Sequence, residues 1–154
     1  MRRKDKLINE QESWEIVDKA PYVSIACVQE DQTPYIANVS AGRKDNVLYF
    51  HCAKEGKKSD ILAKNPNVCV SAVSYVEDAQ DAFTTYYDSS IMYGICELVE
   101  NEEEKKEALY LISKQHMSHL MDKFEAECKS GYQAVRVYKI IIHTITGKSG
   151  KKKS

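Results

Sequence analysis

Twenty residues, 47–66 (VLYFHCAKEGKKSDILAKNP), restrict the fold more than any other stretch of the chain. Val47-Leu48-Tyr49-Phe50 is a β-branched and aromatic run that reads as a strand, and His51, Cys52, Ala53 and Gly56 follow it. A short helix comes next, Lys57–Lys64, stopped by Asn65-Pro66 because the residue before a proline is driven out of the helical region. Lys57 and Lys58 fall in its first turn, where the positive end of the helix dipole disfavours cations. An anion at that point would remove the conflict, since free N–H groups, the dipole and two ammonium groups would all face it. The corner is therefore a candidate phosphate site. The alternative is that both lysines point into water.

The remaining apolar runs supply the frame. Residues 22–28 (YVSIACV), 34–41 (PYIANVSA), 68–76 (VCVSAVSYV), 89–99 (SSIMYGICELV) and 132–146 (YQAVRVYKIIIHTIT) read as five further strands. Residues 30–32 and 42–46 read as turns. Gly94 inside a strand predicts a bulge or a close approach to the backbone. Alternation in the last strand predicts one face carrying Val135, Val137, Ile141 and Ile145. Asn9 with Glu12, and Asn101 with Glu104, are capping-box pairs. They predict a helix through Trp14, Ile16 and Val17 that closes before Pro21, and a second running to about Leu120 with Leu109, Ile112 and His116 on one face. The three helices do not alternate regularly with the six strands. This favours a mainly β fold, a six-stranded antiparallel barrel with peripheral helices, over a doubly wound sheet.

The expected organisation is one domain, residues 1–146, with a basic tail at 147–154. The net charge of −1 gives no global case for nucleic acid, although MRRKDK and GKSGKKKS are basic ends. The five cysteines, Cys27, Cys52, Cys69, Cys96 and Cys128, contain no Cys-x-x-Cys pair. They read as small buried hydrophobes of a reducing compartment rather than a disulfide frame or a zinc site. No run approaches the ~20 apolar residues of a membrane helix and no signal peptide is visible, so the expectation is a cytoplasmic protein.

The corner and the segments after it resemble the split-barrel flavin proteins related to pyridoxamine 5′-phosphate oxidase, in particular the nitroimidazole-resistance reductase branch. The likeness is carried by Leu48-Tyr49-Phe50-His51-Cys52-Ala53, Gly56-Lys57-Lys58, Leu62, Asn65-Pro66, Phe83-Thr84-Thr85-Tyr86-Tyr87, Gly94, Glu97-Leu98-Val99-Glu100 and Ile145-Thr146-Gly147-Lys148. It spans nearly the whole chain in order. The resemblance implies a split barrel of Greek-key type and a homodimer with FMN at the subunit interface. It also implies that Ile36, Ala37, Asn38, Val39, Ser40 and Ala41 pass along the flavin ring. His51 and Cys52 would line the flavin, Lys57 and Lys58 would hold its phosphate, and Ser89 and Ser90 would reach it from the facing subunit. The branch usually has an arginine followed by Ser-Val after the Thr-Thr-Tyr-aromatic run; here the run continues Asp88-Ser89-Ser90.

Flavin would carry the redox chemistry while the protein supplies position and charge. The implied function is an FMN-dependent reductase passing electrons from NAD(P)H or another donor to a small planar or nitroaromatic acceptor. The alternative is a non-catalytic store or sensor of flavin or haem on the same fold. A third reading is a nucleic-acid-associated protein using its basic ends. His51 shares a strand face with Val47 and Tyr49 and is the candidate proton donor to the acceptor; the competing reading is a core histidine. Cys52 points the other way and reads as buried and unreactive. His116 and His119, three apart on a helix, read as a solvated face rather than metal ligands.

Overall fold

The computed structural model describes residues 3–131 and 134–150. The strands are β1 (Leu7–Ile8), β2 (Val23–Val28), β3 (Pro34–Val39), β4 (Ala41–Lys44), β5 (Val47–Ala53), β6 (Asn67–Asp78), β7 (Thr85–Leu98) and β8 (Val135–Ser149). The helices are α1 (Glu10–Lys19), α2 (Lys57–Lys64), α3 (Glu102–His116) and α4 (Phe124–Gly131), with 3-10 turns at Lys4–Lys6 and Ser118–Lys123. The expected start of the last strand, Tyr132, lies outside the described residues. So do the Met1-Arg2 and 151–154 portions of the basic ends.

All pairings are antiparallel and form one sheet in the order β3-β2-β6-β7-β8-β5-β4, with β1 added beside β8. This corrects the expectation of six strands to eight. Of the expected split barrel, the antiparallel sheet is present but not closed: among the described residues no ladder joins β3 to β4. The chain nevertheless passes from one end of the sheet to the other through Ser40 alone, and adjacent Cα atoms are only ~3.8 Å apart. The end of β3 and the start of β4 therefore lie side by side at one corner, which requires the sheet to curl. Its concave face holds the main core, including Ile25, Leu48, Phe50, Val70, Met92 and Ile140, all at most 1% exposed. Trp14 and Val17 of α1 and Ile61 and Leu62 of α2 pack into that core. A second, smaller core of Tyr49, Val99, Ala108, Ile112 and Val137 lies on the outer side of β5 and β8, under α3.

Local chemistry explains the boundaries. Asn9 and Asn101 accept from the N–H of Glu12 and Glu104, each at 2.9 Å, and Glu12 returns a bond to the Asn9 N–H. The β7–β8 ladder jumps between Tyr93 and Gly94, leaving His143 as an extra residue on β8. That bulge reverses the alternation, so Ile145 packs on the main core with Ile142 rather than sharing a face with Val137 as expected. A Cβ on Gly94 would sit 2.4 Å from the Ile141 carbonyl oxygen, the close approach its position in the strand predicts. The expected turn at 42–46 is mostly strand. Only Asp45-Asn46 remain as the loop of a tight hairpin, with Asp45 at φ 53°.

Candidate functional site

β5 delivers the chain to the corner with alternate residues committed to opposite faces. Leu48 and Phe50 enter the main core and Cys52 packs against it, whereas Val47 and Tyr49 join the core under α3. Gly56 then sits at φ 149°, a backbone conformation suited to glycine, and precedes α2. α2 has no side-chain cap, in contrast to α1 and α3, and a Cβ at Gly56 would meet nothing within 4 Å. The first amides of α2 thus have no side-chain cap, and the space beside Gly56 is open.

The two lysines of that first turn diverge. Lys57 Nζ lies 5.3 Å from the ring centroid of Tyr35 on β3, and Lys58 Nζ lies 5.3 Å from that of Phe50. Lys57 is exposed and Lys58 half-buried. Among the described residues neither forms an ion pair. The ammonium of Lys58 is felt by several interior groups. Burial pushes the Cys96 thiol up to about 12 and raises that of Cys27, with Lys58 opposing both shifts. Cys52 Sγ lies 3.6 Å from Ser59 Oγ, tying the strand end to the helix.

β3 is the strand that Lys57 reaches. Its Ala37 and Val39, like Ala41 beyond them, are buried, whereas Ile36, Asn38 and Ser40 are exposed. Asn38 Oδ1 accepts from Ser24 Oγ at 2.7 Å. Ser89 and Ser90 lie across the sheet in β7; Ser90 is fully buried and its hydroxyl donates to the Ser13 carbonyl at 2.8 Å. Within one chain the fold gathers Tyr35, Phe50, Cys52, Lys57 and Lys58, and leaves the two serines elsewhere. Asp88 is 7% exposed, level with Tyr75 and Ser149, and it borders a hollow of about 440 Å³ that Glu12 and Glu15 also line.

His51 continues the Tyr49 face but lies beyond the part that α3 seals. It lines a half-open cavity of about 360 Å³ bordered by α3, the turn Ser118–Lys123 and α4. Partial burial by its neighbours, and then the Lys58 charge, lower its pKa from the ordinary histidine value, although His51 as a whole residue is exposed. Sequence reasoning missed this cavity because it ends the long helix near Leu120 and assigns no α4. The available signal was Phe124 and Cys128, four apart in a segment flanked by charge. Of the other histidines, His116 Nε2 lies 2.8 Å from the Ala41 carbonyl oxygen, so it fastens α3 to β4. His119 is exposed.

The family model for pyridoxamine 5′-phosphate oxidase matches residues 9–149. The chain belongs to that family. No curated protein sequence matches it. Among solved structures it resembles a proposed 5-nitroimidazole antibiotic resistance protein from Bacteroides thetaiotaomicron, with 24% identity, 92% of this chain and 85% of the other covered, and a TM-score of 0.77. It also resembles a FAD and haem binding protein from Mycobacterium smegmatis, at 16% identity, 96% and 74% coverage and a TM-score of 0.80. A third is the flavocytochrome Anf3 from Azotobacter vinelandii, at 17% identity, 99% and 72% coverage and a TM-score of 0.79. This oxidase-family chain thus has the fold of flavin-binding and haem-binding proteins. No helix among its described residues is long and apolar enough to cross a membrane.

Proposed function

We propose that this chain binds FMN at the β5–α2 corner and serves as a reductase of a small planar acceptor, drawing electrons from a reduced nicotinamide or another donor. The observation that carries the reading is the start of α2: uncapped amides, a glycine with open space before it, and two lysines at the positive end of the dipole. A phosphate monoester satisfies all three at once, and FMN ends in one. Bound FMN supplies the electron- and hydride-transfer chemistry. The protein's part is to hold and orient. Lys57 and Lys58 leave their aromatic rings to meet the phosphate, and Cys52 with the backbone of Ile36, Ala37, Asn38, Val39, Ser40 and Ala41 borders the ring. His51 keeps a neutral imidazole at pH 7, able to offer one N–H to an acceptor; protonation at lower pH makes it an acid.

The reading includes a split barrel that pairs as a homodimer. Ile36, Ala26, Cys69, Tyr93 and Thr144 are successive cross-strand neighbours over β3, β2, β6, β7 and β8. Ile36 and Tyr93 there are 64% and 56% exposed, a face suited to a second copy. In such a dimer Ser89 and the backbone of Ser90 would approach the other subunit's flavin, since the Ser90 hydroxyl is engaged by Ser13.

The test is to titrate flavin-free protein with FMN and with riboflavin. Two charge-assisted contacts of about 1.5 kcal/mol each predict a roughly 100-fold loss of FMN affinity in the Lys57→Ala/Lys58→Ala double variant, with riboflavin affinity little changed. Equal losses for both ligands would refute phosphate binding at this corner. A second reading, a store or sensor of flavin or haem, is favoured by the haem-binding neighbours. Bleaching of the flavin spectrum by NADH or NADPH, with recovery on adding a nitroaromatic, decides for the reductase.

A further inference from the structure

We propose that the cavity between β5, α3 and α4 is a binding site for a neutral, apolar molecule of one or two rings, with His51 and Ser113 as its uncharged polar contacts. Its volume of about 360 Å³ equals roughly a dozen waters at the ~30 Å³ each occupies in the liquid. It lies within the ~300–1,000 Å³ range of small-molecule sites.

The lining decides the ligand class. Leu109, Met117, Leu120, Met121, Phe124 and Val135 supply aliphatic, thioether and aromatic surface. The two methionines are unbranched and polarizable, so they adapt to flat ligands of differing outline. Met117 and Leu120 remain 38% and 41% exposed, which leaves apolar surface that a ligand would cover. The charged groups on the wall are Lys123 and Glu127, one of each sign, so the site has no net field that selects an ion. On the strand side the lining is His51 of β5 and Val135 of β8, which pairs with Ala53 two residues further along β5. A neutral imidazole has one N–H donor and one nitrogen acceptor, enough to orient a carbonyl, hydroxyl or nitro group. The sheet's main core, on the other side of β5, is closed by Phe50 and Leu48, so the cavity is a separate compartment.

Binding at this site is independent of flavin; that its occupant is the electron acceptor rests on the reading above. His51 is the residue common to both, beside Cys52 at the strand end.

The experiment titrates flavin-free full-length protein with prodan, a neutral two-ring fluorophore, with the methionine methyls carbon-13 labelled. Saturable binding is expected, with shifts at the Met117 and Met121 methyls and none at Met92, which is fully buried in the sheet's main core. Met121→Trp, which fills the cavity, is expected to weaken prodan binding at least tenfold while FMN affinity stays within twofold. Lys57→Ala/Lys58→Ala is expected to keep prodan affinity whatever it does to FMN, so failure of the flavin reading and failure of this one are told apart. The proposal is overturned by no saturable binding, by shifts confined to Met92, or by a folded Met121→Trp protein that binds prodan as the wild type does. Should Met121→Trp not fold, the wild-type methyl shifts decide alone.

Discussion

Replacing Gly42 with alanine should be among the most damaging single-carbon additions this chain can receive. Gly42 lies in β4 beneath α3, where an added Cβ would come within 2.5 Å of the Ile112 nitrogen, 2.7 Å of the Leu111 carbonyl carbon and 3.0 Å of the Ile112 Cα. All three are helix backbone, so no side chain can swing aside. α3 must retreat by roughly 1 Å, and a gap of ~0.5–1 Å already forfeits a quarter to a half of the dispersion well for the atoms it separates. Those atoms include Ala108 and Ile112, which are 0% and 1% exposed. Overpacking of this kind costs about 1–3 kcal/mol, and a backbone-on-backbone clash belongs at the upper end. An unfolding entropy of ~2.1 cal/mol/K per residue gives about 0.3 kcal/mol/K for this chain, so about 3 kcal/mol lowers Tm by about 9 °C. Calorimetric melts of Gly42→Ala should be run beside Gly131→Ala, where an added Cβ meets nothing within 4 Å and a helix gains a better former. A Gly42→Ala protein melting within about 2 °C of wild type would refute the claim that α3 is seated by the absence of a side chain.

Two further perturbations test the local chemistry. Asn9→Ala and Asn101→Ala should each cost about 1 kcal/mol in urea unfolding, since each removes one side-chain acceptor while the residue-9 N–H keeps its bond to Glu12; the double variant should be additive, and coupling between the caps would contradict their independence. Burial, then the hydrogen bond to Glu104, pushes the Tyr49 phenol up to about 12. Its folded pKa lies above the unfolded value of 10.0, so the neutral phenol's stabilisation is complete below pH 10 and is lost as pH rises through about 12. The difference corresponds to at most about 3 kcal/mol. Tyr49→Phe should flatten that alkaline fall in a pH series of melts, and an unchanged slope would place the titrating group elsewhere.

What could be read from the residues was local, and what could not was decided by partners far along the chain. The limits of α2 follow from Gly56 and Asn65-Pro66, and both asparagines cap their helices as expected, because each signal acts within one helical turn; only Glu12 completes a capping box, since the Glu104 carboxylate is taken by Tyr49 and Lys139. Gly94 was legible as an anomaly inside an apolar run. Gly42 was not, because a glycine beside Arg43, Lys44 and Asp45 looks like turn chemistry, and only the arrival of α3 some seventy residues later makes it a packing position. β1 has the same character, two residues that count as strand only because Leu7 and Ile8 meet Lys148 and Gly147. The alternation of β8 misplaced Ile145 because period two carries no mark of the extra residue at His143. The candidate site divides along the same line. Lys57, Lys58, His51 and Cys52 are contiguous, so their corner was visible, and alternation correctly put His51 with Tyr49. Alternation cannot say what covers a face. α3 seals Tyr49 into a core, whereas the chain's turn through Ser118–Lys123 into α4 holds the next helix off His51 and leaves a cavity there. Two residues on one face of one strand thus differ in role because a helix ends between them, and the length of that helix is the feature that propensity fixes least well.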